Sequence, residues 1–266
     1  MAHPFAVPAA KPIPLPEGGG DRNAIPIYNF PNAHVVHHFI PAMPVRISSM
    51  RALGAYHNVF SIESFMDELA LAAGADAVEF RLKHLDDPRG RDVIEKAALG
   101  FGWRKGQKEP RDHGFGFAFA RYKNLAAYCA IATEVEVNRE TGRPRLVRAV
   151  AAVDSGQVVN PDGLTNQIEG AIMQSMSWTL YEAVTFDDTR ITSIDWQTYP
   201  ILRFDAAPDT IEVHIINRPG QPFLGSGETG QGPAAAAIAN AIADATGRRL
   251  RHLPLSRKRI KDAIDA

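Results

Sequence analysis

An α+β fold, with mixed sheets and helices packed on them, is the class this sequence predicts, and three observations predict it. Helical and strand-like patterns interleave along the chain, which is incompatible with an all-helical bundle. A long hairpin, AIATEVEVN–RETGRPR–LVRAVAAVDSG, demands antiparallel pairing that a purely parallel sheet lacks. The 45% hydrophobic and 22% charged residues are those of an ordinary globular chain, and 266 residues suit one large domain or two small ones.

The elements follow in order. Five of the 19 prolines (Pro4, Pro8, Pro12, Pro14, Pro16) fall in the first 20 residues, which end in Gly18, Gly19 and Gly20. Such density opposes helix and favours an extended spacer, so 1–20 is read as a Pro/Gly-rich linker. Residues 24–40 alternate and end in VVHHF, a strand pattern. A helix is expected from about Phe60, capped by Ser61 and stopped by Gly74. A second helix fits Ala75–Leu85 with Asp76 as cap, and a third runs from Pro88 to Phe101 with Gly102 past its end.

From Gly114 the period changes to that of strands, through GFGFAFARY and AIATEVEVN, with the hairpin turn centred on Thr141–Gly142. A helix over Asp162–Ala183 follows Pro161. Strands are expected near 191–196 and 211–216. PAAAAIANAIADATG is an alanine-rich helix ended by Gly247, and Ser256 caps a last short one.

Composition excludes several functions. Lys and Arg total 29 against 30 Asp and Glu, a formal charge of −1, so no nucleic-acid partner is expected. One cysteine, Cys129, excludes a disulfide framework and any multi-cysteine metal site supplied by this chain alone. No apolar run approaches the roughly 18 residues of a membrane span. The start, MAHPFAVPAAKPIPLP, lacks the basic and apolar regions of a signal peptide, which leaves cytoplasmic and periplasmic locations both open.

The stretch richest in chemistry is PFLGSGETGQGP, residues 222–233. Its glycines let backbone approach a ligand closely, and it opens into a helix whose amides favour negative charge. Gly225, Gly227 and Gly230 satisfy GxGxxG. The dinucleotide reading fails, because Pro219 and Pro222 separate the loop from any strand and no further βαβ unit follows. Glu228 within the loop would also repel a pyrophosphate. Two readings of Glu228 then stand on the residues alone: a solvated glutamate on a turn, or a general base held on tight backbone.

GSGETGQGPAAAAIANAIADATGRRLRHLPL resembles the C-terminal segment of the large, molybdenum-binding subunit of the xanthine dehydrogenase/aldehyde oxidase family of molybdenum hydroxylases. The isoquinoline 1-oxidoreductase β and nicotinate dehydrogenase types are the most similar in look. PVRISSMRALGAYHNVFSIESFMDELALAAGADAVEFRLKHL, AVDSGQVVNPDGLTNQIEGAIMQSMSWTLYEAV and SIDWQTYPILRFDAAPDTIEVHII resemble further family segments in the same order, so the likeness spans residues 21–260. It implies that 21–266 is the C-terminal portion of a molybdopterin-binding domain.

The resemblance assigns roles by position. Glu228 matches the glutamate that takes a proton from a molybdenum-bound hydroxyl, whose oxygen then attacks an electron-poor carbon. Gln167 matches a glutamine that hydrogen-bonds the pterin. Arg51 and Gly54 lie in the SMRALGAY loop whose backbone lines the metal pocket, with Gly54 letting the chain turn. Leu53 stands where relatives can present a substrate-facing residue. Gly227 joins the cofactor-binding set, Ala171 replaces a frequent second glycine, and no residue ligates the metal directly.

His37 and His38, adjacent on an expected strand, point to opposite faces and cannot share an ion. Cys129, Trp103, Trp178 and Trp196 read as packing, Trp196 beside Tyr199 having a second reading at a substrate funnel.

What the family adds elsewhere is missing, so the resemblance implies an assembly. A complementary N-terminal portion of the molybdenum subunit and a [2Fe–2S] small subunit are the expected partners. The expected cofactor is molybdenum–molybdopterin, in a dinucleotide form. The implied reaction is water-derived hydroxylation of an N-heteroaromatic or aldehyde carbon. A non-catalytic binding or assembly domain of the same fold is the alternative, with an NAD-dependent oxidoreductase far behind.

Overall fold

The computed structural model describes residues 19–40, 43–45, 47–107, 110 and 112–266. The proline-rich spacer expected over 1–20 therefore lies outside the described residues, except for Gly19 and Gly20. In chain order the elements are α1 (Ala55–Ala72), α2 (Ala77–Lys83), α3 (Pro88–Phe101), β1 (His113–Arg121), β2 (Tyr128–Asn138), β3 (Arg143–Asp154), α4 (Pro161–Leu180), β4 (Thr210–Ile215), α5 (Gln231–Thr246) and α6 (Arg257–Asp265).

The strands form one sheet in the order β1-β2-β3-β4. β1 and β3 both pair antiparallel with β2, and β3 pairs parallel with β4 after the crossover through α4. This is the mixed α+β architecture expected. Caps fall where the sequence put them: Asp76 accepts from the Val78 and Glu79 amides, and Ser256 accepts from Arg259. Gly102 and Gly247 close α3 and α5 in the left-handed region.

Strand β1 explains why the two faces of the sheet differ. Phe115, Phe117 and Phe119 point to one side and pack with α2 and α3. Gly114, Gly116 and Ala118 face the other, where α5 lies. A Cβ on Gly116 would stand 2.0 Å from the Ala237 carbonyl oxygen, and one on Gly114 would stand 2.0 Å from that of Ala241. Helix backbone thus rests on strand backbone, which the alternation of glycine with phenylalanine and the alanines of α5 make possible. Gly116→Ala is expected to cost about 1–3 kcal/mol by overpacking, because both clashing atoms are main chain. The check is a thermal melt, in which the midpoint should fall by several degrees.

Four expectations need correction. Residues 24–40 form no strand: among the described residues the only backbone bonds there are local or to His84, and Val35, Val36, Phe39 and Ile40 are exposed. The pattern suits a strand, but among the described residues no neighbouring strand satisfies its amides. Residues 191–196 hold a single bridge, Ile191 to Phe186, because Asp195 accepts from the Gln197 and Thr198 amides and bends the chain into a turn. Helix α1 starts at Ala55, not near Phe60. Ala55, Tyr56, Val59 and Phe60 are all buried, so tertiary packing extends the helix through Ser61. Helix α4 ends at Leu180 instead of Ala183.

One buried ion pair had no sequence signal. Glu63 of α1 and Arg81 of α2 are 1% and 0% exposed, with Arg81 Nε donating to Glu63 Oε2 at 2.8 Å. Glu63 also accepts from the Tyr28 hydroxyl and the Phe119 amide, which ties α1 to the sheet. Among the described residues no helix is long and apolar enough to cross a membrane.

Candidate active site

Helix α1 is entered through a strained turn. Ala52 (φ 74°) and Leu53 (φ 50°) both occupy the left-handed region, where each non-glycine residue costs about 1–3 kcal/mol. Ala52 is fully buried, and the Leu53 amide closes the turn on the Met50 carbonyl. The expectation that Gly54 supplies the turn is corrected: its φ is an ordinary −63°. Gly54 lacks a side chain for a different reason. A Cβ there would stand 2.3 and 2.5 Å from the carbonyl oxygens of Gly20 and Gly19, and the Gly54 amide donates to Gly19.

The N-terminal turn of α1 meets the last turn of α4 through Tyr56, and the start of α5 meets the middle of α4. Gly232 abuts Val59, and Gly230 abuts Ala171. The 222–230 loop is thereby held against the 51–54 turn. Loop residues Gly225 and Gly227 face open space, with no heavy atom within 4 Å of a built Cβ, and so does Gly170 on α4.

Glu228, half-buried, uses both oxygens. Oε1 accepts from the Ala52 amide at 2.7 Å, which holds the strained turn, and Oε2 accepts from the Tyr122 hydroxyl at 2.6 Å. Burial alone would raise its pKa. The Tyr122 hydroxyl, the Ala52 amide and the charges of Arg22 and Lys123 outweigh burial and hold it below the usual glutamate value. Burial first, then the adjacent carboxylate, push the Tyr122 phenol up to about 12, so it remains a donor at neutral pH.

The neighbouring carbonyl of Gly227 is a second focus. It accepts from Arg51 Nε (2.8 Å), Arg51 Nη2 (2.6 Å) and Gln167 Nε2 (2.7 Å). Arg51 also reaches Gln174 on α4 and, at 3.4 Å, the Gln167 carbonyl. Desolvation lowers the Arg51 pKa, against the opposing pull of Glu228. The structure therefore brings Arg51, Leu53, Gly54, Gln167, Gly227 and Glu228, distant in sequence, into one locality.

Sequence reasoning missed Tyr122, Arg22, Gln174 and Gln231. Tyr122 looked like the end of a strand and Arg22 like the edge of a linker. Only their partners on distant elements distinguish them. Gln231, fully buried at the start of α5, leaves Oε1 without a hydrogen-bond partner.

Other residues singled out lie elsewhere. His37 and His38 are exposed, and among the described residues no group of three or more His, Cys, Asp or Glu could hold a metal ion. Cys129 is fully buried in the core, which pushes its thiol up to about 12. Trp103 packs on Phe117 and donates to Asp76, and Trp178 packs edge-on against Tyr56. Trp196 is 69% exposed on the long loop before β4, where Tyr199 donates to Glu182.

Residues 66–208 match the family model described as molybdopterin cofactor-binding domain. The chain is 40% identical to a subunit of the nicotinate dehydrogenase of Pseudomonas putida, over 96% of its own length and 22% of the relative's. It is 34% identical to the beta subunit of isoquinoline 1-oxidoreductase from Brevundimonas diminuta, over 81% of its length and 27% of the relative's. It thus spans about a quarter of these curated relatives. Among solved structures, the aldehyde oxidoreductase of Desulfovibrio gigas superposes with a TM-score of 0.71 at 18% identity, covering 82% of this chain and 42% of that one. Quinoline 2-oxidoreductase of Pseudomonas putida 86 superposes with a TM-score of 0.71 at 14% identity, covering 81% of this chain and 52% of that one, a likeness of fold. With more than half of its residues inside the family model, the chain belongs to the molybdopterin cofactor-binding domain family.

Proposed function

We propose that this chain contributes the proton acceptor and part of the pterin cradle to a molybdenum hydroxylase, with residues 21–266 as the C-terminal portion of its cofactor-binding domain. The observation that carries this reading is the convergence of Glu228, the 51–54 turn and Gln167 around Gly227. The residues fit such a group. Gly170, Gly225 and Gly227 offer backbone with space beside it, and the orphaned Gln231 Oε1 is a buried acceptor awaiting a donor.

When bound, the molybdenum–molybdopterin group would supply two-electron oxidation of an N-heteroaromatic or aldehyde carbon with water as the oxygen source. This chain's part is positional and acid–base. Glu228, ionised at neutral pH, accepts a proton at a carboxylate lone pair left free by Ala52 and Tyr122. Gln167 keeps its carbonyl oxygen for the pterin edge while its Nε2 holds Gly227. Arg51 clamps the same carbonyl, and Leu53 stands on the turn where a substrate would arrive.

The remaining parts belong to an assembly: a complementary N-terminal portion, a [2Fe–2S] small subunit that removes electrons, and a dinucleotide form of the pterin. Both bacterial relatives carry names that make them one subunit among several, which supports that reading. The test is metal and pterin analysis of the chain co-produced with those partners. Stoichiometric molybdenum and pterin are expected, whereas tightly bound NAD or a metal-free complex would overturn the reading. In the same assembly, Gln167→Ala should lower molybdenum occupancy more than turnover per bound metal, since a pterin group enclosed without its hydrogen-bond partner would cost about 1–3 kcal/mol. Unchanged occupancy would leave Gln167 as a brace for the loop alone.

A further inference from the structure

Glu228 is bonded on its far side to a buried chain of side chains. Arg22, 7% exposed, donates from Nη1 to the Tyr122 hydroxyl at 2.8 Å, and Tyr122 donates onward to Glu228 Oε2 at 2.6 Å. Arginine can only donate, so the Tyr122 oxygen is committed as acceptor and its hydrogen is directed at the carboxylate. The guanidinium also lies 5.7 Å from the centre of the Tyr122 ring, and its Nε finds no hydrogen-bond partner. Hydrogen bond and ring contact thus both join this guanidinium to the same tyrosine.

The segment that delivers Arg22 is pinned from both sides. Asn58 of α1 donates to the carbonyls of Gly20 and Arg22, each at 2.9 Å, and the Gly54 amide holds Gly19. Asn23 donates to the Arg121 carbonyl and accepts from the Lys123 amide, the residues either side of Tyr122. This anchoring registers one arginine against one tyrosine.

We propose that Arg22 and Tyr122 are positioning residues, Arg22 acting through Tyr122 to orient the Glu228 carboxylate and keep it ionised. The inference rests on Glu228 being the proton acceptor described above. A protonated Glu228 would leave the Tyr122 hydrogen facing an acid, with Arg22 barring its reversal. The arrangement therefore favours the ionised carboxylate. The charged and titratable groups facing Glu228 among the described residues are Arg22, Tyr122, Lys123 and Arg51. Of these only Tyr122 bonds it directly.

The test is a titration of the Glu228 carboxyl in the full chain without cofactor. It is followed by infrared bands in ¹³C-glutamate-labelled protein and assigned by their loss in Glu228→Gln. Tyr122→Phe removes a donor to the charged form, so the midpoint should rise by about one pH unit, a tenfold change in protonation equilibrium. Arg22→Gln should shift it in the same direction, and clearly less when Tyr122 is already phenylalanine. Arg22→Lys, which keeps a donor and the charge, should lie nearer the wild type. Gly54→Ala, which displaces Gly19 and Gly20 without touching either side chain, should reproduce the Arg22→Gln shift. Circular dichroism identifies variants that fail to fold; should Tyr122→Phe be one, a wild-type midpoint in folded Arg22→Gln overturns the proposal by itself.

A wild-type midpoint in folded Tyr122→Phe, or equal Arg22→Gln shifts with and without Tyr122, overturns the proposal. Turnover of the cofactor-loaded assembly separates the two levels. A midpoint that moves while the pH profile of turnover stays put leaves the positioning pair intact and removes Glu228 from its role as base.

Discussion

Glu228→Gln in the loaded assembly is expected to lower substrate-driven reduction in a single turnover by about 10²–10⁴-fold, with molybdenum content retained. The geometry indicates why the fold should survive. The amide oxygen can still accept from the Ala52 N–H, so the strained turn keeps its partner and only the bond from the Tyr122 hydroxyl is given up. What is lost is the capacity to take up a proton. Single-turnover measurement isolates this step from later electron transfer.

The pH dependence follows from the lowered pKa of Glu228. In the wild type, the rate should be flat through neutrality and fall only below the ordinary glutamate value of 4.5, as the carboxylate takes up its proton. The stabilisation from its bonds to Tyr122 and Ala52 is present above the unfolded-state pKa and is lost as pH falls through the folded one. The variant should lack that acid limb. A variant that reduces at the wild-type rate would make the glycine loop a turn and nothing more.

Glu63→Ala is expected to cost about 3–5 kcal/mol, because it leaves the Arg81 guanidinium buried without its counter-charge. Tyr28 and the Phe119 amide lose an acceptor in the same stroke. The measurement is the urea midpoint at unchanged m-value. Replacing both Glu63 and Arg81 by leucine should recover much of the loss, since the isolated charge, and not the missing pair, is what destabilises. A double variant no better than the single would assign the effect to lost packing of α1.

Much of the fold could be read directly, for reasons that are local. Asp76, Pro88, Gly102, Gly247 and Ser256 satisfy or break backbone bonds within their own turn, so their meaning does not depend on distant chain. The GFGFAFA alternation is equally local. Residues 24–40 and 191–196 failed because a strand exists only through its neighbour, and no pattern within a segment reports whether the neighbour is there. The start of α1 failed because Ser61 looks like a cap, while the burial that carries the helix back to Ala55 comes from α5 and α4.

The site divides along the same line. Glu228, Gln167 and Arg51 were reached through ordered resemblance of whole phrases, and the glycine loop through its composition. Tyr122 and Arg22 were not reached. A tyrosine at a strand end and an arginine after three glycines carry no signature until one is seen 2.8 Å from the other. Gly54 does not supply the turn expected of it, since the left-handed residues are Ala52 and Leu53.

The layer between β1 and α5 has a thermal consequence. Glycine and alanine have no rotamers, so packing them together loses no side-chain conformational entropy, whereas long side chains lose up to roughly 2 kcal/mol each. Where glycine meets alanine in this layer there is no rotamer hopping through which the spacing could fluctuate as temperature rises. The loop carrying Glu228 springs from this helix at Gln231, so it is mounted on a helix whose backbone rests directly on strand backbone. The position of the carboxylate should therefore vary less with temperature than the solvent-facing loops do.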